Sequence, residues 1–412
     1  MKSLVIHFAR FGPYHLARLR SAQAALSPLG WKAVALEIAA TDSTYAWRQE
    51  KVRDGFEKEC VFPGRNYDEI PAGQLTAGVH AAMDRLQPAA VAVAGYFSAD
   101  ARACLAWCRR NSARALLMSE TRQADGRRVW CKEWIKSRIV RRFGAALCGG
   151  GAHRDYLIAL GLPKDRIHFG YDVVDNESFA SDAAKWRSAD QVEIERGERK
   201  YFLASNRFIE RKNLATLLDA FARYTREGGS VSDKWSLILL GDGERKASLL
   251  EQCRRLGLEI VENAPWEIAP SSLRSGKVFF PGFRQIEELP RFYARAGCFV
   301  HPAVEEPWGL VINEAMASGL PVLASTGTGA AEELVEDGVN GWRFNPSDEA
   351  ALALLLRRVH ETSAGDLAAL GAASRRILEE KAPLAAFGEG LRAGLPVSRG
   401  MLDERAKVGS RS

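Results

Sequence analysis

Two carboxylates and two cations offer the chemistry in this chain. In HPAVEEPWGLVINEAMASGLPVLAS (301–325), Glu306 and Glu314 have seven residues between them. A strand should end at Pro302, and Gly309-Leu310 should open an apolar helix that stops near Gly319. Glu306 then sits in the loop and Glu314 about one turn into the helix. The backbone N–H groups near Gly309 and Leu310 face whatever the loop holds, and helix N-termini favour phosphate. In YFLASNRFIERKN (201–213) a strand ends, a loop carries Arg207 and Lys212, and a helix begins at Asn213. Two cations of different geometry, a planar fork and a point charge, suit an anionic ligand at a strand's carboxyl end. No D-x-D pair sits at a strand end, and Asp172 and Asp175 in GYDVVDN are three apart near the expected hinge, so no catalytic metal is expected.

These residues need a scaffold of strands and helices. SLVIHF (3–8), KAVALEI (32–38), AAVAVAG (89–95), RALLMSE (114–120) and AALCG (145–149) read as strands separated by helical stretches. Continuous apolar strands between helices indicate a parallel sheet buried on both faces. The polar segment 181–200 interrupts the pattern and reads as an inter-domain connection. The rhythm restarts with YFLAS (201–205), SLILLG (236–241), VFFPG (278–282), CFVHP (298–302) and PVLAS (321–325). The expectation is an α/β chain of two Rossmann-like, doubly wound domains, 1–180 and 201–382, facing each other across a cleft. The tail 397–412 is polar and expected to be disordered.

Composition agrees with two soluble domains in 412 residues, with a mild net charge of +6. No dense basic run with interleaved aromatics points to nucleic acid. The seven cysteines form no CxxC pair, so buried free thiols in a reducing cytoplasm are expected rather than zinc. No run approaches the roughly 18 apolar residues of a membrane span.

The segment EPWGLVINE (306–314), followed by AMASGLPVLAS (315–325) and AAEELVEDGVNGWRF (330–344), resembles the C-terminal domain of family-4 retaining glycosyltransferases, the glycosyl transferases group 1, which have the GT-B fold. The resemblance implies transfer of a sugar from a UDP- or GDP-linked donor to a hydroxyl of a glycan, lipid-linked or small-molecule acceptor. It implies that Glu306 bonds the transferred sugar near its reacting carbon and Glu314 accepts the ribose hydroxyls. Arg207 and Lys212 would lie on the donor diphosphate, and Gly309 and Leu310 would face it. The backbone near Pro281, Gly282 and Phe283 would read the base, and a last helix near 383–396 would cross back to the first domain. A same-scaffold nucleotide-sugar epimerase or hydrolase, or a silent nucleotide-sugar-binding protein, are the alternative readings.

The first half is less explicit. FGPYHLARL (11–19) follows the first strand, so Gly12 would let backbone approach the diphosphate and His15 would point near the cleft. Where many relatives carry a His, this chain has Ser119, Glu120 and Arg122, which makes Glu120 a candidate acceptor-side group. His153 reads as orienting a helix start. GRRVWCKEWIKSRIVRRF (126–143) mixes cations with Trp130, Trp134, Ile135 and Phe143, as a peripheral contact with anionic membrane would require, although an ordinary surface helix has the same pattern.

Overall fold

The computed structural model describes residues 1–42, 47–48, 56–189, 201–227, 233–262 and 275–396. The expected tail 397–412 and residues 190–200 of the expected connection lie outside them. The described residues build two sheets of seven strands, each parallel throughout. The first comprises β1 (Lys2–Phe8), β2 (Trp31–Thr41), β3 (Glu57–Asn66), β4 (Ala90–Ala94), β5 (Arg114–Ser119), β6 (Ala145–Cys148) and β7 (Ile167–Phe169), in the order β3-β2-β1-β4-β5-β6-β7. The second comprises β8 (Tyr201–Ser205), β9 (Ser236–Leu240), β10 (Ile260–Glu262), β11 (Val278–Gly282), β12 (Cys298–His301), β13 (Val322–Ser325) and β14 (Gly341–Phe344), in the order β10-β11-β9-β8-β12-β13-β14. In each sheet the first strand has neighbours leading off in opposite directions, so the order reverses beside it, between β1 and β4 and between β8 and β12. A crevice opens at the strand ends beside such a reversal.

The central strands are buried on both faces because helices cover both, as their unbroken apolar runs require. The four strands that sequence reading left out, β3, β7, β10 and β14, are the four sheet edges. β3, β10 and β14 carry exposed polar residues and β7 is only three residues long with an exposed Phe169, so none presents an unbroken buried apolar run. One buried cluster passes from Leu4 and Ile6 of β1 through Val173 and Trp308 to Phe299 of β12, joining the two halves. Residues 181–189, expected as a connection, continue the helix Asn176–Ala189. Phe179 of that helix packs edge-on against Tyr293, 6.1 Å away, and Arg187 donates to the carbonyls of Ala294 and Ser318. None of the seven cysteines is in a disulfide, but Cys131 is exposed and Cys60 half-buried, so only five are the buried thiols expected.

The last described helix, Ala385–Gly394, lies on the first half. Ser21 Oγ donates to Leu384 O at 2.8 Å, and Gly388 N–H donates to Ser21 Oγ at 3.0 Å. A Cβ on Gly388 would stand 2.2 Å from Ser21 O, so this close approach needs glycine. Gly388→Ala should therefore lower stability by about 1–3 kcal/mol through overpacking. Gly365→Ala, whose Cβ would meet only Ser363 Oγ at 3.9 Å, should cost nothing measurable. Urea unfolding of both variants checks this, and equal stability would contradict the packing.

Candidate active site

The loops after β8 and β12 are tied together at the reversal point. Past Ser205, the chain passes Arg207 and makes a short 3-10 turn, Glu210–Lys212. Asn213 then takes a left-handed conformation, φ 56°, at the start of helix Leu214–Arg226. Its Nδ2 donates to Pro302 O at 3.1 Å and Pro346 O at 2.8 Å. In return Val304 N–H donates to Arg211 O at 2.9 Å, and Arg211 Nη1 donates to Glu305 O at 3.1 Å. Glu306 bridges in parallel with Thr328. Gly309, at φ 101°, then turns the chain into helix Leu310–Ala317. That φ suits glycine, and a Cβ there would also press on Thr328 Cγ2 at 3.1 Å.

This geometry drives the Glu306 carboxylate onto the cations of the β8 loop. Lys212 Nζ is hydrogen-bonded to Glu306 Oε2, and Arg211 Nη1 stands 3.6 Å from the same oxygen. Burial alone would raise the Glu306 carboxyl, but Lys212, His301 and Arg211 outweigh it and hold the group below the usual carboxylate range. Burial pulls the Lys212 ammonium down, the Glu306 carboxylate opposes this, and Arg211 and Arg207 add to it. Arg207 is thus part of the same electrostatic group. Arg211, not among the site residues expected from the sequence, joins it because the 3-10 turn swings it back over Glu305. His301, at the end of β12, is wholly buried, and burial lowers its imidazole to about 3, Lys212 adding to the effect.

Glu314 has a different surrounding. It is fully buried, and both its oxygens accept tyrosine hydroxyls: Tyr14 Oη at 2.5 Å and Tyr293 Oη at 2.8 Å. Burial pushes its carboxyl up to about 7, against the pull of those two hydroxyls. Tyr14 belongs to the first turn of helix Pro13–Leu26, in the other half. Gly282, at φ 85°, ends β11, and its carbonyl accepts Gly241 N–H at 3.1 Å. The Phe283 carbonyl accepts Arg284 Nη1 at 3.1 Å, and the Phe283 ring meets Trp47 of the first half at 4.9 Å.

The first half contributes further groups. Gly12 caps helix Pro13–Leu26 with an ordinary φ of −103°, and its N–H donates to His15 Nδ1 at 2.8 Å. The protein's own geometry does not require glycine there. His15 packs on Phe8 at 4.0 Å and Phe11 at 5.5 Å. It is a helix-start histidine, and burial beside Arg18 and Arg10 keeps it neutral. Glu120 is half-buried beside Asp172. Burial raises both carboxyls while Arg18 opposes, and Glu120 pushes Asp172 up the further. Arg122 and His153 reach across to the Glu306 loop. Arg122 Nη2 donates to Glu306 O at 2.8 Å and Gly327 O at 2.9 Å. His153 Nε2 is 3.0 Å from Pro307 O. The expected role of His153 at a helix start also holds, since its Nδ1 accepts Gly150 N–H at 3.2 Å. Among the described residues, no group of three or more His, Cys, Asp or Glu gathers to hold a metal ion.

Residues 187–377 match the family model of the glycosyl transferases group 1. The match lies in the second half of the chain. A sulfoquinovosyl transferase of Arabidopsis thaliana is 31% identical over 137 residues, 32% of this chain and 26% of that protein. A sucrose synthase of Thermosynechococcus vestitus is 31% identical over 173 residues, 41% of this chain and 20% of that protein. The chain thus spans about a quarter or less of these relatives' length. As a fold the likeness extends over nearly the whole chain. The structure of Anabaena HepE in complex with UDP and glucose matches with a TM-score of 0.67 at 19% identity, covering 95% of this chain and 98% of that one. Sucrose-phosphate synthase of Thermosynechococcus elongatus matches with a TM-score of 0.66 at 17% identity, covering 99% of this chain and 100% of that one. The two Rossmann-like halves are the GT-B fold.

The Glu314 surroundings make a pH prediction. Its carboxyl is raised to about 7 in the folded protein, above the usual value of about 4.3 for an unfolded chain. Between those values the native state holds a proton that the unfolded chain has lost, so this group's contribution to stability falls as pH rises through the window. Relative to Glu314→Gln, wild type should lose about 2–4 kcal/mol between pH 4 and pH 8. Denaturant midpoints across that range check this, and a wild type that gains on the variant instead would contradict it.

Proposed function

We propose that this chain is a retaining glycosyltransferase that moves a sugar from a nucleoside-diphosphate donor, UDP- or GDP-linked, to a hydroxyl of a glycan, lipid-linked or small-molecule acceptor. The observation that carries the reading is the ionised Glu306 at the β8/β12 reversal point. It is paired with Lys212 and Arg211 and stands beside the start of helix Leu310–Ala317. Helix-start N–H groups and the cations Lys212 and Arg207 would hold the diphosphate and offset the charge it gains on leaving. Glu306 would accept sugar hydroxyls and face the positive charge that develops at the anomeric carbon. Glu314 would accept the ribose hydroxyls, with a ribose donor taking the place of the Tyr14 hydroxyl. The backbone at Gly282 and Phe283 would read the base, Gly12 would let backbone approach the diphosphate, and His15 and Glu120 would line the acceptor side. The names of the relatives, a sulfoquinovosyl transferase and a sucrose synthase, and the UDP and glucose in the HepE complex, support a nucleotide-sugar donor. The charge balance rests on side chains, so transfer should persist in EDTA. Loss that only Mg²⁺ or Mn²⁺ reverses would contradict this.

The two carboxylates should separate kinetically. A group that helps most as charge develops shows its loss in kcat, whereas one that holds the ribose throughout shows it in KM. Glu306→Gln should lower kcat by about 10²-fold or more. Glu314→Gln should weaken donor and free nucleoside diphosphate alike, by about 1–3 kcal/mol. Titration of the nucleoside diphosphate into both variants distinguishes them. Nucleotide affinity lost in Glu306→Gln and kept in Glu314→Gln would reverse the assignment.

The protein also rests on anionic lipid at the cytoplasmic membrane face. No helix of the described residues is long and apolar enough to cross a membrane. Helix Trp130–Val140, shorter than the 126–143 expected, buries only Val140. It leaves Trp130 82% and Trp134 55% exposed. Arg127, Lys132, Arg138, Arg141 and Arg142 are exposed around them, while the helix's Glu133 is paired with Lys136. Exposed aromatics ringed by cations suit an anionic headgroup layer. Neutralising Lys132, Arg138, Arg141 and Arg142 together should abolish co-sedimentation with phosphatidylserine liposomes. Unchanged co-sedimentation would remove the proposal.

A further inference from the structure

The loop that carries Glu306 is held by the opposite half of the molecule. Arg122 Nη2 donates to the carbonyls of Glu306 (2.8 Å) and Gly327 (2.9 Å), which flank the Glu306–Thr328 bridge. Asp125 fixes that guanidinium, accepting Arg122 Nε at 3.1 Å and the Arg122 backbone N–H at 2.6 Å. The next carbonyl, Pro307 O, lies 3.0 Å from His153 Nε2. His153 Nδ1 accepts Gly150 N–H, so in the neutral ring Nε2 bears the proton and donates. Both side chains are buried, and two successive carbonyls are thereby aimed by donors from the first half.

We propose that Arg122 and His153 are positioning residues for Glu306, which they orient only when the two halves are closed together. The inference rests on the reading of Glu306 given above. The direction of the 306 carbonyl sets ψ at Glu306, and that of the 307 carbonyl fixes the turn that follows it; together they bear on where the Glu306 carboxylate points. With the halves apart, the Glu306 carbonyl keeps only the Gly329 N–H at 3.0 Å and the Pro307 carbonyl loses His153, so the loop is held less tightly and the carboxylate, still paired with Lys212, loses part of its fixed direction. Full alignment of Glu306 then awaits closure, which keeps the donor from reacting with water in an open cleft.

The test uses the full-length protein, Arg122→Met, Arg122→Lys and His153→Phe. Misplacement of a reacting group costs about 10²-fold, so Arg122→Met should lose about that in kcat. Its affinity for UDP or GDP, whichever binds, should stay within about twofold, because the lost interaction matters in the transition state. His153→Phe should change in the same direction. Free guanidinium should return part of the lost kcat to Arg122→Met but none to Glu306→Gln, and Arg122→Lys, which keeps one donor, should fall between wild type and Arg122→Met. Hydrogen exchange with the nucleotide bound should be at least about tenfold faster at the Glu306 and Gly329 amides in Arg122→Met, with other core amides unchanged. Unchanged kcat, or kcat lost in step with nucleotide affinity and not restored by guanidinium, would overturn the proposal. So would unchanged exchange at those two amides. A wild type that binds nucleotide without turnover would fail the reading of Glu306, and the exchange rates would still decide the positioning.

Discussion

A charged carboxylate cannot be buried without partners, and Glu306 is buried. Much of the site follows from that requirement. Lys212 and Arg211 must arrive from β8 just where the loop after β12 delivers Glu306, so β8 and β12 must be neighbours. Asn213 takes a left-handed turn to tie the two loops together. Gly309 takes a positive φ so that a helix can begin beside the carboxylate. The result is a concentrated, pre-aimed set of charges, which a site that stabilises a leaving diphosphate needs before substrate arrives.

Glu314 shows the opposite electrostatic solution in the helix that follows the Glu306 loop. It is buried with two tyrosine hydroxyls and no cation, so its carboxyl is raised where that of Glu306 is lowered. Two carboxylates with nearly the same sequence signature therefore face different tasks. One is a fixed charge, and the other is a hydrogen-bond acceptor whose charge is easily suppressed. The Tyr14 hydroxyl reaches Glu314 from the opposite half, so both carboxylates sense the closed arrangement.

The parts of this design that could be read from sequence are those encoded locally. Central strands announce themselves as apolar runs, and the loop-glycine-helix grammar around Gly309 places Glu306 and Glu314. The edge strands were missed because only one side of an edge is paired and their residues face water. Tyr14, Arg122 and His153 lie 300, 184 and 154 positions from the atoms they hold. No local pattern distinguishes them from ordinary polar residues, since their partners are mostly backbone atoms or arrive from the other half. Arg211 escapes a sequence reading for a related reason: only the tightness of the 3-10 turn tells which of three neighbouring basic residues folds back. Gly12 and His15, read in sequence as part of a ligand loop, also form a helix cap of their own.

The most direct test of this arrangement is a crystal structure of the protein with a bound nucleoside diphosphate. The diphosphate should lie within about 3 Å of Lys212 Nζ and the Gly309–Leu310 N–H groups, at hydrogen-bonding distance. The ribose should occupy Glu314 with Tyr14 displaced from it. A nucleotide bound elsewhere, or one that leaves the Tyr14–Glu314 hydrogen bond intact, would contradict the account.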